Sequence, residues 1–168
     1  MKIENGSRTQ AFAALLAGVV LLLLLTPARA SAALGGDVTS VEADRQQMRA
    51  TKSAAVQAVE SKYTVHEITT TYGTVVREYV SPDGKVFGVA WRGPFLPNFQ
   101  QLLGDSYATF AQGAQQARSG EVRHSRNAPL TVAQPDFVMH SGGHMRAYVG
   151  RAYLPGMVPA GVDPKDIK

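Results

Sequence analysis

The sequence predicts an α+β domain: one antiparallel β-sheet with two amphipathic helices packed on it, behind a cleaved leader. Three observations carry this. Residues 63–91 hold three β-rich runs separated by turn signals, residues 99–114 carry a helical apolar stripe, and further strand-like runs follow from residue 130. Runs of helix and strand in this order, without the strict βαβ alternation of parallel sheets, point to helices segregated on one face of an antiparallel sheet.

The leader comes first. Lys2 and Arg8 outweigh Glu4, residues 11–25 are free of charge, and Thr26-Pro27 ends the run. A spanning helix needs about 20 apolar residues, so this run is short. Ala28-Arg29-Ala30 and Ala30-Ser31-Ala32 are two A-x-A sites, which place cleavage before Ser31 or Ala33. Residues 1–30 are therefore expected to be a cleaved signal peptide and 31–168 a single domain, periplasmic or secreted, with no stable membrane span.

Removing the leader corrects the charge. Lys2, Arg8, Arg29 and Glu4 go with it, leaving 14 basic and 12 acidic residues of the original 17 and 13. So small an excess does not argue for nucleic acid, which wants a concentrated basic face. Arg118, Arg123 and Arg126 lie in a polar stretch that reads as a solvated loop. The chain has no cysteine. Disulfides and thiolate zinc sites are thereby excluded, and packing alone must hold the fold.

Along the mature chain, Leu34-Gly35-Gly36 reads as a flexible lead-in. Thr39-Ser40-Val41-Glu42 fits a capping box, and Val41, Arg45 and Met48 follow at helical spacing, with Ala55 and Val59 on the same stripe. The first helix therefore starts near residue 39 and ends either near Ala50 or near Val59. Residues 63–71, 74–80 and 85–91 read as a three-stranded meander, with Tyr72-Gly73 and Ser81-Pro82-Asp83-Gly84 as its turns. Gly93-Pro94-Phe95-Leu96-Pro97 breaks the sheet. Asn98 caps the second helix, on whose inner stripe lie Phe99, Leu102, Leu103, Ser106, Phe110 and Ala114. Residues 119–128 read as a loop. Strands are expected at 130–133, 137–140 and 145–154, with Ser141-Gly142-Gly143 turning between the last two. Pro155, Pro159 and Pro164 mark a tail of little regular structure.

Several of these segments together resemble a known family. Leu34-Gly35-Gly36-Asp37, Tyr63-Thr64-Val65-His66-Glu67, Val76-Arg77-Glu78-Tyr79-Val80-Ser81-Pro82, Gly84-Lys85-Val86-Phe87, Ala90-Trp91-Arg92-Gly93-Pro94 and Ser141-Gly142-Gly143-His144-Met145-Arg146-Ala147 are similar, in this order, to the proteobacterial exported family catalogued as domain of unknown function 2844. The resemblance implies export. It brings no catalytic residue, cofactor or substrate.

The chemistry-bearing residues are few. His140 and His144 are the metal candidates, because imidazole suits zinc and copper, although a site needs further ligands. His66 and Glu67 are adjacent in a strand and so point to opposite faces. Arg77 and Glu78 are positioned to meet the first strand of the meander in cross-strand pairs. No G-x-S-x-G elbow or phosphate loop is present, and no cofactor is expected. Trp91, Arg92 and Phe95 stand where a strand hands over to the second helix. They and Arg146 are the binding candidates, since Trp and Arg are enriched in binding hot spots. The competing reading has Trp91 and Phe95 stapling the helix to the sheet. The pattern favours a non-catalytic binding or structural module, with another envelope protein as the expected kind of partner. Two alternatives stand beside it: a small exported hydrolase or metal-dependent enzyme using His140 and His144 near Arg146, and an assembly factor that adds a partner strand to its sheet edge.

Overall fold

The fold was analysed in a computed structural model. It describes residues 34–39, single positions at 41, 46 and 48, the backbone of 52–57, and residues 62–119 and 129–168. The expected signal peptide, most of the expected first helix and the 120–128 part of the expected loop lie outside the described residues.

Among the described residues seven strands form one antiparallel sheet in the order β1-β2-β3-β4-β7-β6-β5. They are β1 (Lys52–Gln57), β2 (Thr64–Thr69), β3 (Val75–Val80), β4 (Val86–Gly93), β5 (Leu130–Ala133), β6 (Val138–His144) and β7 (Ala147–Tyr153). Between β4 and β5 the chain forms α1 (Phe99–Leu103), a 3-10 turn (Gly104–Ser106) and α2 (Tyr107–Ser119). The second helix of the sequence analysis is thus a helical segment broken once. Gly104, at φ +50°, makes the break. Asn98 caps α1 as expected, its side chain accepting from the backbone of Gln100 and Gln101.

Alternation along the strands separates two cores. On the inner face Ile68, Val76, Val80, Val89, Trp91, Met139 and Ala152 pack against Leu102, Leu103 and Ala114. On the outer face Tyr79, Phe87 and Ala90 pack with Ile167, flanked by Met157, Val158 and Val162. The tail does contain only two short 3-10 turns, Pro155–Met157 and Pro164–Asp166. It nonetheless covers the outer face. Ile167 is fully buried, and the Lys168 main-chain oxygen accepts from the Tyr79 hydroxyl (2.8 Å) and from Arg77 (2.9 Å).

Four expectations need correcting. The first helix does not reach Val59. Residues 52–57 are β1, paired with β2 from Lys52↔Thr69 to Gln57↔Thr64. Thr51-Lys52-Ser53 breaks the helical stripe, and the open hydrogen-bonding edge of β2 then captures the following residues, tertiary pairing outweighing a weak local preference. Thr39, Val41 and Gln46 are helical, but the cap is Asp37, whose carboxylate accepts from the Thr39 amide at 3.1 Å. That bond, first of all, holds the Asp37 carboxyl below its usual range, with Lys85 adding to it. The lead-in is not flexible in kind. Gly35 and Val38 donate to Val86 and Gly84, both at 2.8 Å, and Leu34 is in the core. Finally, Ser141-Gly142-Gly143 is not a turn. The ladder runs through it, Ser141↔Gly150 to His144↔Ala147, and the chain reverses at Met145-Arg146. Among the described residues Arg146 is the non-glycine one at positive φ, +64°.

Candidate functional site

The site grows from the way α2 meets the sheet. Gly113 brings the helix directly onto β5: a Cβ there would lie 2.4 Å from Val132 Cγ1, so only glycine permits this approach. Anchored at β5, α2 leaves a gap over the far ends of β6 and β7. The gap is a cleft of about 730 Å³. One helix stripe, Tyr107, Phe110, Ala111, Ala114, Gln115 and Arg118, forms one wall; offsets of three and four residues from Tyr107 to Phe110 and Ala111, and onward to Ala114, Gln115 and Arg118, keep them on one face. The opposite wall is Ser141 to Met145 of β6 and its turn, with Tyr148 of β7. Gly142 and Gly143 contribute no side chain there, which is why the space stays open.

The cleft is aromatic at its base. Phe99 meets Phe110 edge-on with centroids 5.4 Å apart, and Tyr107 lies 5.9 Å from Phe110. Its polar groups are Ser141, Gln115, His144 and Arg118, and no carboxylate lines it among the described residues. His144 is exposed, and its Nδ1 lies 3.2 Å from the Met145 carbonyl, which can only accept.

The structure scatters the sequence-derived candidates. Trp91 is 2 % exposed. Its ring meets Phe99 edge-on at 5.2 Å and lies over Gly150, where a Cβ would stand 2.2 Å from Trp91 Cζ2. The side chain that joins Trp91 to the helical segment is therefore Phe99, not Phe95. Phe95 is 53 % exposed. Its main chain is held from both sides by Thr74, whose hydroxyl donates to the Phe95 carbonyl (2.8 Å) and accepts from its amide (3.3 Å). This turns the ring outward onto Tyr72, 5.8 Å away. Arg92 is exposed on the outer face, in a smaller hollow with Arg77 and Val149. Arg146 sits exposed at the β6–β7 tip.

His140 and His144 are not brought together. Four residues of extended strand span about 13 Å, and the two imidazoles line different hollows. His140 faces outward, 3.3 Å from Thr131 Oγ1. Burial, then the neighbouring Arg151 charge, lowers its pKa. Among the described residues no group of three or more His, Asp or Glu converges as metal ligands would. The cross-strand role assigned to Arg77 is present: Arg77 Nε donates to Glu67 at 3.0 Å across the β2–β3 pair. Glu78 instead lies buried on the inner face, opposite His66.

Sequence reasoning missed the cleft itself. Tyr148 is its clearest omission, and Arg118, read from the sequence as part of a solvated loop, instead stands in the last turn of α2. The signal was available in part, because the helical stripe continues from Phe110 through Ala114 to Arg118.

Fold and cleft together define a small α+β domain with one sheet, helices on one face, a tail on the other, and a recess suited to binding. The chain belongs to the family described as Protein of unknown function (DUF2844), whose model matches residues 30–167. No curated protein and no solved structure matches it.

Proposed function

We propose that this is an exported, non-catalytic binding module whose ligand seat is the cleft between α2 and the β6–β7 hairpin. The observation that carries the reading is the composition of the cleft. Its walls mix aromatic and aliphatic side chains with Gln115, Ser141 and His144, its charged group is Arg118, and its described lining holds no carboxylate. Ligand sites are concave and mostly apolar, with a few polar groups fixing orientation. This one suits an apolar molecule bearing a negative charge. The charge-free run at 11–25 and the A-x-A sites after it support export, and N-terminal sequencing should find Ser31 or Ala33 first.

The test uses 8-anilinonaphthalene-1-sulfonate, an apolar anion. It should bind the folded protein with enhanced emission. Ala111→Trp should block it, because Ala111 is an exposed helix position that lines the cleft, so the new ring fills space without entering the core. Undiminished binding to that variant, or no binding to the native fold, would remove the cleft from consideration.

A further inference from the structure

The exposed apolar side chains of this protein are not scattered. Among the described residues five large ones are exposed: Tyr72 (71 %), Phe95 (53 %), Leu96 (47 %), Met145 (81 %) and Val149 (44 %). Sheet register shows that they share one end of the molecule. Thr69, Val75, Arg92, Val149 and Gly142 form a single row across β2, β3, β4, β7 and β6. Beyond that row project the β2–β3 turn with Tyr72, the β4 exit with Phe95 and Leu96, and the β6–β7 tip with Met145. Val149 stands on the row itself.

Charge sorts in the same way. Residues 70–74, 92–98 and 144–148 contain Arg92, Arg146 and His144, and no Asp or Glu. At the opposite end of the sheet the β3–β4 turn carries Asp83 and the β5–β6 turn carries Asp136. The β2–β3 turn is also bonded internally and to the β4 exit. Gly73 donates to the Thr70 carbonyl (3.0 Å), Thr70 donates to Thr74 (2.9 Å), and Thr74 in turn holds Phe95.

We propose that this end of the sheet docks on an anionic lipid surface, with Tyr72, Phe95, Leu96 and Met145 entering the interfacial layer and Arg92 and Arg146 meeting the headgroups. Aromatic rings favour the headgroup level, and apolar tips flanked by cations bind through buried area plus attraction to anionic lipid. Backbone amides already bonded within their turns meet the demand that an apolar medium makes on polar groups. A protein partner of mixed surface charge would not call for three projecting segments that together carry cations and no carboxylate. The docking end meets the cleft at Leu96 and Met145, which line it, whereas Tyr72 and Phe95 do not.

The test is co-sedimentation of residues 31–168, which hold every described core side chain, with vesicles of phosphatidylcholine alone or mixed with phosphatidylglycerol. Binding is expected to the mixed vesicles and to weaken with salt. Each arginine near a charged surface is worth about fivefold in affinity, so Arg92→Gln with Arg146→Gln should weaken binding on the order of thirtyfold. Lys62→Gln with Lys85→Gln makes the same change in net charge at the other end and should cost far less. Phe95→Ser with Met145→Ser, both at exposed positions, should abolish sedimentation with the circular dichroism spectrum unchanged. Equal losses for the two double-charge variants would overturn the proposal, as would binding that survives Phe95→Ser with Met145→Ser. Failure to sediment with the mixed vesicles would overturn it too. A photo-crosslinker at position 95 that captures another protein from the cell envelope, and no lipid, would replace the lipid surface with a protein partner.

Discussion

Removing the Trp91 ring should cripple the fold without touching any exposed surface. The indole is 2 % exposed, packs edge-on against Phe99 at 5.2 Å, and closes over Gly150 so tightly that no Cβ fits beneath it. Phe99 in turn meets Phe110, so the ring is the first member of an aromatic chain that joins β4 to α1 and α2. Trp-to-Ala changes in such settings cost about 3–5 kcal/mol, against a total of about 5–15 kcal/mol for a domain of ordinary stability. Trp91→Phe should cost much less. The indole Nε1 is buried with no hydrogen-bond partner among the described residues, so phenylalanine gives up ring area but no bond, and it removes a donor whose desolvation is unfavourable by about 1–3 kcal/mol. Chemical denaturation followed by far-ultraviolet circular dichroism would measure both variants. As the sole tryptophan, Trp91 also reports its own burial through blue-shifted emission resistant to acrylamide. A loss below about 1 kcal/mol for Trp91→Ala, or a red, quenchable native emission, would refute this placement.

Three further outcomes follow from local geometry. Gly84→Val forces a β-branched residue to φ +80° in the β3–β4 turn and should cost on the order of 1–2 kcal/mol, read as a lowered melting temperature. Arg146→Gly relieves a left-handed arginine at φ +64° and should raise stability by up to about 1 kcal/mol, whereas Arg146→Val should lower it. Burial holds the His66 pKa below 6.5 in the fold, so the unfolded chain binds more protons in that range. The His66 contribution is therefore complete above pH 6.5 and is lost as pH falls through the lowered folded value, and His66→Gln should flatten that part of the stability–pH curve.

How much of this was legible in the sequence depended on whether local signals agreed with tertiary demands. Asp83-Gly84 and Asn98 are self-contained: a left-handed glycine and a side-chain cap act within a few residues, and both stand where expected. Residues 52–57 illustrate the opposite case. Alanine-rich and weakly patterned, they take their conformation from the free edge of β2, which no local window contains. Ser141-Gly142-Gly143 misled because glycine marks turns, yet also marks close approach. Here the ladder continues through the glycines, and an arginine accepts the strained position in the turn instead. Among the site candidates, Arg92 and Arg146 were found as residue types but their common end was not, since it follows only from the register of β4, β7 and β6. The cleft was hidden for a related reason: the stripe that reads as core is buried at Leu102 and Leu103 of α1, but within α2 only Gly113 and Ala114 are buried, and the rest of that helix stands off the sheet.

The free surface of this molecule is best understood by what is already occupied. The inner face of the sheet is taken by α1 and α2. The outer face is taken by the tail, which buries Ile167 and ties its last residue to Tyr79 and Arg77. One end is closed by the lead-in, bonded to Gly84 and Val86. The other end and the cleft beside it are left uncovered by these segments. That is also where the rules of an inert surface are broken: an arginine is held at positive φ, a methionine is 81 % exposed at a hairpin tip, and an aromatic pair faces solvent on a loop fixed by Thr74. Strain and exposed apolar area persist only where surrounding structure enforces them, and they concentrate at functional sites. Phe95→Ser and Met145→Ser should therefore leave the melting temperature nearly unchanged while altering association, the reverse of Trp91→Ala. A large loss of stability from either serine variant would mean that these side chains serve the fold and that this end is no docking surface.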